Sequence, residues 1–190
     1  MITEHFVTPI YQKVLDLDCS EIEKQCLEYR NQNDGVQATN VGGWQSHNIN
    51  SETNAMQFID DLKKGIFQGM KEIKLKYQLN IKSLEFGNMW ININGPNDYN
   101  KQHIHTNSFF SGVYYVTVPK NSGDLAFFPP SLLRNYVHVI PDDSKKITKA
   151  VGIKPKKNLL CLFPSWTEHE VLRNDSDSER ISISFNLLVK

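Results

Sequence analysis

Cysteine is scarce in this sequence, with three residues among 190. The number is odd, so the cysteines cannot all pair with one another. Two of them, Cys19 and Cys26, are too far apart in the sequence for a CxxC redox or zinc pair, and the third is Cys161. The sequence therefore does not fit a disulfide-stabilised scaffold, and Cys161, inside an apolar run, is expected to be a buried hydrophobic residue. Residues 1–6 also lack the basic and apolar stretches of a signal peptide, so we expect a cytoplasmic protein.

An excess of charge of one sign is also absent. Lys and Arg together number 21, as do Asp and Glu, so the formal net charge is zero. A general nucleic-acid binder needs a surplus of cations to displace counterions from phosphates, and a polybasic membrane-surface protein needs the same surplus. No apolar run approaches the ~20 residues that span a bilayer. We therefore expect neither general nucleic-acid binding nor membrane association.

The first third of the chain has the pattern of helices. Ser20 followed by Glu23 is a capping box that predicts a short helix to about Tyr29. Residues 31–54 are rich in Asn, Gly and Ser and are predicted to be loop, and residues 53–79 are predicted to form a second helix. Its apolar residues recur at three- and four-residue steps and predict one buried face: Met56, Ile59, Leu62, Ile66, Met70, Ile73 and Tyr77. Gly65 and Gly69 interrupt this helix and suggest a close approach to a sheet.

The rest of the chain has the pattern of short strands. Residues 89–94 alternate strictly, with Met89, Ile91 and Ile93 on one face and polar residues or Trp90 on the other. Further strands are predicted at 102–107, 112–118, 124–128, 149–153, 159–163, 168–172 and 180–189. Helices followed by many short strands predict a mostly β jelly roll with N-terminal helices packed on one sheet. We predict one domain, 1–190, with a helical support region at 1–82 and a β core at 83–190.

Three histidines are candidate metal ligands. His103 and His105 are two residues apart, so on a strand both imidazoles point to the same face. His169 lies on another predicted strand that a two-sheet fold can bring close. Three such ligands on one side of a metal leave the opposite positions open, as in non-heme iron enzymes. The alternative is that the His-x-His pair is merely two polar residues at a strand start. The other histidines are expected to be surface or structural: His5, His47 and His138.

The last predicted strand carries a candidate anion receptor. Its apolar residues share one face, while Arg180, Ser182, Ser184 and Asn186 share the other. An arginine that points into the sandwich needs an anionic partner, and a guanidinium beside a hydroxyl suits a carboxylate. The alternative is a solvent-exposed polar face on an edge strand.

The spacing of His169 before Arg180 and Ser182 resembles the histidine plus Arg-x-Ser signature of the 2-oxoglutarate/iron(II) oxygenases. Further segments resemble a group of such oxygenases from bacteria and marine cyanophages, most of which lack an assigned substrate: VGGWQS (41–46), WININ (90–94), YNKQHIH (99–105), SGVYYV (111–116) and LFPSW (162–166). The resemblance covers nearly the whole chain. It implies a double-stranded β-helix of the cupin-like type, with iron(II) as cofactor and 2-oxoglutarate as cosubstrate.

Carried over by position, the resemblance implies roles for five residues. His103 and His169 match the first and the distal metal ligand. Arg180 and Ser182 match the receptor for the distal carboxylate of 2-oxoglutarate, and Tyr115 matches a tyrosine that prolyl-hydroxylase-like relatives place beside that receptor.

His105 departs from the family pattern, which usually has Asp or Glu at this position. Three readings stay open. His105 completes a three-histidine site, a shifted pair of His105 and Asn107 provides ligands, or His105 contacts the substrate.

The sequence thus predicts a 2-oxoglutarate-dependent dioxygenase, a hydroxylase of a protein side chain or a small molecule. One alternative is a cupin-like three-histidine metal protein without 2-oxoglutarate, and another is a non-enzymatic jelly-roll binding module. A homodimer is compatible with the sequence. Candidate pocket walls, with the sandwich core as the alternative for the tryptophans, are Trp44, Trp90, Trp166, Asn92, Asn94 and Asn107.

Overall fold

The computed structural model of the protein describes residues 7–49, 56, 58–129 and 150–190. Two helices are present in these residues, α1 (Cys19–Gln32) and α2 (Phe58–Tyr77). The strands are β1 (Tyr11–Val14), β2 (Asn40–Val41), β3 (Trp44–Gln45), β4 (Leu84–Asn94), β5 (Tyr99–His103), β6 (Phe110–Thr117), β7 (Leu125–Phe127), β8 (Val151–Ile153), β9 (Leu159–Pro164), β10 (His169–Val171) and β11 (Arg180–Val189). Neither helix is long and apolar enough to cross a membrane.

The strands form two antiparallel sheets. One has six strands in the order β1-β9-β6-β11-β4-β3, and the other has five in the order β2-β5-β10-β7-β8. Strands that are neighbours in a sheet are mostly far apart in the chain, as a double-sheet jelly roll requires. The predicted fold class, a double-stranded β-helix with flanking helices, is confirmed.

Both helices pack on the outer face of the six-stranded sheet. The apolar stripe of α2 is buried as predicted, with Ile59, Leu62 and Ile66 at 0% exposure, and it belongs to one hydrophobic cluster with Ile91 and Ile183 of the sheet. The apolar faces of β4 and β11 therefore point to the helices. Their polar faces, at every second residue, are left to face the other sheet.

The start of α1 differs from the prediction. The helix begins at Cys19, and its cap is Asp18 rather than Ser20, because the Asp18 carboxylate accepts hydrogen bonds from the backbone nitrogens of Ser20 and Glu21. A carboxylate at this position also interacts favourably with the positive end of the helix dipole. The described part of α2 begins at Phe58, and the start predicted at Thr53 lies outside the described residues, as do His5 and His138.

The N-terminal region is not purely helical. β1 pairs with β9, β2 with β5 and β3 with β4, so the segment predicted to be loop, residues 31–54, supplies edge strands to both sheets. These strands of two to four residues are too short to show an alternation of apolar and polar residues, and they form because they pair with longer strands of the sheets.

The strand predicted at 102–107 is also placed differently. β5 begins at Tyr99 and ends at His103, and the chain then turns, with Asn107 at a positive φ of 59°. Asparagine tolerates this left-handed backbone conformation, but a β-strand cannot continue through it.

Gly69 lies where α2 crosses the six-stranded sheet. A Cβ atom at this position would lie 2.8 Å from both Leu162 Cδ1 and Tyr11 Cε1, so the predicted close approach of helix and sheet is confirmed. We expect Gly69→Ala to lower the free energy of unfolding by about 1 kcal/mol, because overpacking outweighs the gain in helix propensity. Chemical unfolding measures this loss. Gly87→Ala is the control, since a Cβ there makes only ordinary contacts of 3.4 Å or more. Equal stability of the two variants would contradict the prediction.

Candidate functional site

His103 and His169 face each other across two neighbouring strands. They are directly opposite residues in the antiparallel pair of β5 and β10, and their ring centroids are 4.3 Å apart. Directly opposite residues of such a pair point to the same face of the sheet. The sheet register therefore brings these two imidazoles together.

His105 reaches the same place from the turn after β5. Its backbone nitrogen donates a hydrogen bond of 3.0 Å to the carbonyl of Ser165, which ties the turn to the end of β9. Its ring centroid lies 5.0 Å from that of His103 and 5.1 Å from that of His169. One nitrogen from each histidine can be chosen so that all three atoms lie within 4.8 Å of one another. The three side chains could thus bind one metal ion.

Two of these histidines have a fixed tautomer. His103 Nδ1 lies 2.6 Å from the carbonyl oxygen of Lys101, and His169 Nδ1 lies 2.8 Å from that of Thr167. A carbonyl oxygen can only accept a hydrogen bond, so Nδ1 carries the proton in both rings. The lone pair of each neutral ring is then on Nε2, which is the usual arrangement for a histidine that binds a metal.

Burial keeps the three imidazoles neutral. It lowers the pKa of His103, it lowers that of His105 to about 4, and it lowers that of His169 to about 3. The mutual repulsion of the rings adds to the effect for His105 and His169. Since only a neutral imidazole can bind a metal, all three are ready to do so at pH 7.

Arg180 is buried in the other part of the site with two unpaired nitrogens. Arg180 is the first residue of β11 and is 1% exposed. One terminal nitrogen donates to the carbonyl oxygens of Ser122 at 2.7 Å and Gly123 at 3.3 Å, whereas Nε and Nη2 have no partner among the residues that the structure describes. A buried cation with unpaired donors is costly unless an anion completes it. These two nitrogens match the two oxygens of a carboxylate.

Ser182 and Tyr115 lie beside this guanidinium. Ser182 is two residues from Arg180 on the same strand, and it is directly opposite Tyr115 of β6. Burial raises the pKa of Tyr115, and the nearby Arg180 only partly opposes this. The Tyr115 hydroxyl is therefore protonated at neutral pH, and it can donate a hydrogen bond to an anion, as can the hydroxyl of Ser182.

A single cavity of about 330 Å³ joins the two groups. It is lined by all six residues that the sequence singled out as ligands: His103, His105, His169, Tyr115, Arg180 and Ser182. The polar faces of β4 and β11 form one wall, and the histidines approach from the five-stranded sheet and from the turn after β5.

Residues 88–186, more than half of the chain, match the model of a protein family described as "Putative 2OG-Fe(II) oxygenase". The chain belongs to this family. It is therefore a 2-oxoglutarate/iron(II) oxygenase, with iron(II) as its cofactor and 2-oxoglutarate as its cosubstrate. This finding decides against the cupin-like protein without 2-oxoglutarate and against the non-enzymatic module.

The solved structures that resemble the oxygenase share its fold at low sequence identity. A Pseudomonas putida prolyl-4-hydroxylase has a TM-score of 0.64 and 16% identity, over 93% of this chain and 91% of the other. A viral collagen prolyl hydroxylase from Paramecium Bursaria Chlorella virus-1, in its 2-oxoglutarate complex, has a TM-score of 0.64 and 15% identity, over 94% of both chains. A Trichoplax adhaerens prolyl hydroxylase bound to a fragment of hypoxia inducible factor has a TM-score of 0.67 and 18% identity, over 96% of this chain and 82% of the other. No curated protein matches the chain.

The walls of the oxygenase cavity differ in part from those predicted. Trp90 and Asn92 line it, whereas Trp44, Trp166, Asn94 and Asn107 do not. Trp44 packs edge-on against Tyr29 of α1 and contacts the hydrophobic core. This agrees with the alternative prediction for the tryptophans, a place in the core. Lining residues that the sequence analysis did not assign to the pocket include Asn88, Ser184 and Asn186. The signal for them was present, since they continue the alternate positions of β4 and β11.

Proposed function

We propose that the oxygenase is a hydroxylase of a protein side chain or a small molecule. In this proposal His103, His105 and His169 hold iron(II), and Arg180, Ser182 and Tyr115 hold 2-oxoglutarate. The observation that carries it is the buried Arg180 with two unpaired nitrogens, in the same cavity as three convergent imidazoles.

The carboxylate receptor acts by fixing the cosubstrate. Nε and Nη2 of Arg180 would take the two oxygens of the distal carboxylate, and the hydroxyls of Ser182 and Tyr115 would donate to the same group. Ser122 and Gly123 orient the guanidinium through their carbonyls. With the distal end so held, the other end of a five-carbon diacid can extend through the cavity toward the histidines.

The histidine group would hold the metal ion next to the cavity, because all three residues line it. The bonds from Nδ1 of His103 and His169 to backbone carbonyls fix the direction of each Nε2 lone pair. When bound, iron(II) and 2-oxoglutarate supply the chemistry of oxygen activation, with succinate as one product. Three neutral protein ligands leave one more positive charge on the site than the usual pair of histidines with a carboxylate.

The remaining predictions concern the protein as a whole. We propose that residues 1–190 form one domain, because α1, α2 and the strands β1, β2 and β3 all pack on the β core. The three cysteines are buried and form no disulfide, which suits the reducing cytoplasm that we propose as the location. A homodimer stays a prediction.

The function is tested by a succinate-release assay. The protein is incubated with iron(II), ascorbate and 2-oxoglutarate, alone and with panels of peptides, nucleotides and metabolites. We expect slow succinate release without substrate and a marked stimulation by the true substrate class, together with hydroxylated product by mass spectrometry. The His169→Ala variant provides the background. Release equal to that background under every condition would contradict the proposal.

His105 decides between a three-histidine site and a site of two histidines. We expect His105→Ala to weaken iron(II) binding by about 10-fold or more, because only two protein ligands remain. We expect His105→Asp to retain the metal, because a carboxylate oxygen is a good ligand at the same position. Titration of the anaerobic protein with iron(II) measures both. If His105→Ala binds iron as well as the wild type while turnover falls, His105 contacts the substrate instead.

A further inference from the structure

A second pocket lies outside the cavity of the proposed active site. It has a volume of about 180 Å³ and is formed by two loops, residues 118–124 between β6 and β7 and residues 154–157 between β8 and β9. No described residue lines both this pocket and the cavity that contains the three histidines. We call it the lysine pocket, and the proposed oxygenase chemistry gives its residues no role.

The lining of the lysine pocket is positively charged, although the chain as a whole has no net charge. Asp124 is the one acidic residue among the described lining residues, whereas four lysines line the pocket: Lys120, Lys154, Lys156 and Lys157. All four are exposed, and none forms an ion pair with a described residue. The nearby carboxylate of Asp175 is paired with Arg173 instead. Four cations against one carboxylate attract an anion and repel a metal ion.

Ser122 adds a hydroxyl without a partner to the same lining. The residue is 2% exposed, and its Oγ has no hydrogen-bond partner within the part of the chain that the structure describes. Its backbone carbonyl accepts from Arg180, and its backbone nitrogen donates to the carbonyl of Pro119, so both main-chain groups are already used. A buried hydroxyl without a partner is costly, and an oxyanion in the pocket would accept its hydrogen bond.

The two loops are held in place by backbone hydrogen bonds. The carbonyl of Asn121 accepts from the backbone nitrogen of Asp175 at 2.9 Å. In the other loop, the backbone nitrogen of Asn158 donates to the carbonyl of Tyr115 at 2.9 Å. The pocket is therefore formed before a ligand binds, and little of the binding free energy is spent on ordering the loops.

We propose that the lysine pocket binds a phosphate monoester, carried by a small molecule or by a lipid head group. Above pH 7 such a group carries close to two negative charges and presents three acceptor oxygens. It can therefore interact with several ammonium groups and with the Ser122 hydroxyl at the same time. The proposal uses neither the histidines nor 2-oxoglutarate, so it and the proposed function can each fail without the other.

Other anions fit the pocket less well. A phosphodiester carries one charge rather than two, so the same lysines attract it less strongly. A nucleic acid needs cations along many successive phosphates, and a chain without net charge that concentrates its lysines in one pocket does not provide them.

A matched pair of small probes tests the proposal, methyl phosphate and dimethyl phosphate. The full chain is titrated with each probe above pH 7 at low salt, the affinity is measured by calorimetry, and the backbone amide signals are followed by NMR. We expect methyl phosphate to bind at least about 10-fold more tightly, because it carries the second charge. The shifted amides should lie in the two loops, and added salt should weaken binding. Equal affinities, no detectable binding of methyl phosphate, or shifts confined to the surroundings of the histidines would overturn the proposal.

Variants locate the binding in the lysine pocket. Lys154→Gln and Lys156→Gln are combined because single exposed ion pairs are weak, and the double variant should bind methyl phosphate about 10-fold more weakly. Ser122→Ala should weaken binding about threefold or more, because the phosphate loses a hydrogen-bond donor. The control combines Lys24→Gln with Lys71→Gln, which removes the same charge from exposed positions of α1 and α2 and should bind normally. Unaltered affinity in both pocket variants, or an equal loss in the control, would overturn the proposal.

Vesicles that contain phosphatidic acid distinguish the two sources of the phosphate. Cosedimentation with these vesicles that is lost in the lysine double variant would assign the pocket to a lipid head group. Binding of methyl phosphate without cosedimentation would assign it to a soluble molecule. Thermal unfolding of each variant, compared with the wild type, checks that the loss of binding is not a loss of fold.

Discussion

Replacing Arg180 by alanine is expected to weaken 2-oxoglutarate binding by about 10- to 100-fold. The physical reason is that hydrogen bonds to a charged group in a dry site contribute about 1.5–3 kcal/mol. Arg180 Nε and Nη2 are buried donors that have no partner within residues 7–49, 56, 58–129 and 150–190, and a carboxylate would pair with both. Calorimetric titration of the metal-loaded protein with 2-oxoglutarate measures the change.

Two further variants make the Arg180 result interpretable. Arg180→Ala also removes the hydrogen bonds to the Ser122 and Gly123 carbonyls, so its thermal unfolding should be compared with that of the wild type. Arg180→Lys retains the charge without the planar fork and should bind 2-oxoglutarate with intermediate affinity. Arg173→Ala, which removes an exposed arginine paired with Asp175, is the control and should bind normally. An unchanged affinity in a folded Arg180→Ala protein would remove Arg180 from the receptor.

Replacing His169 by alanine is expected to have the largest effect on metal binding, a loss of iron(II) affinity of about 100-fold or more. Changes in groups that merely orient a ligand already cost 10–100-fold, and His169 is proposed as a ligand itself. It is 3% exposed and lies at the centre of the five-stranded sheet, between β5 and β7. Anaerobic iron(II) titration, followed by metal analysis of the desalted protein, measures the loss.

The control for this variant is a histidine outside the cavity. His47 is exposed and is not among the lining residues, so His47→Ala should retain the full metal content. His169→Gln is a second variant that keeps polarity and volume in the buried position. If a folded His169→Ala protein retains its iron, His169 is not a ligand and the proposed site is wrong.

Most of the β core could be predicted because its signals are local. β11 was predicted with its bounds, and the faces of β4 were predicted, because strict alternation places apolar and polar side chains on opposite faces. The apolar stripe of α2 was equally plain. The cap of α1 was misplaced by two residues because Ser20 and Asp18 are both good capping residues, and backbone geometry chooses between them.

The arrangement of the site could be predicted only in part. That His103 and His169 converge was suggested by the resemblance and by a two-sheet fold, but that they are directly opposite depends on the register of β5 and β10. Register is set by contacts along both strands and not by the histidines. The prediction that His103 and His105 share one strand was wrong, because β5 ends at His103 and the ring of His105 approaches from the turn. The strands β1, β2 and β3 could not be found, since so short a segment becomes a strand only beside its partner.

One strand, β11, carries two residues proposed to bind the cosubstrate and two further polar residues that line the cavity. Arg180, Ser182, Ser184 and Asn186 occur at every second position, so successive members are about 6.8 Å apart along the strand. The distance from the carboxylate receptor to these two residues is therefore set by the backbone repeat and is independent of which side chains occupy the positions. Substitutions at the far end of β11 would therefore change the cavity wall without moving the carboxylate receptor. Inserting or deleting a single residue within it would exchange the two faces, placing isoleucines in the cavity and polar groups against the helices.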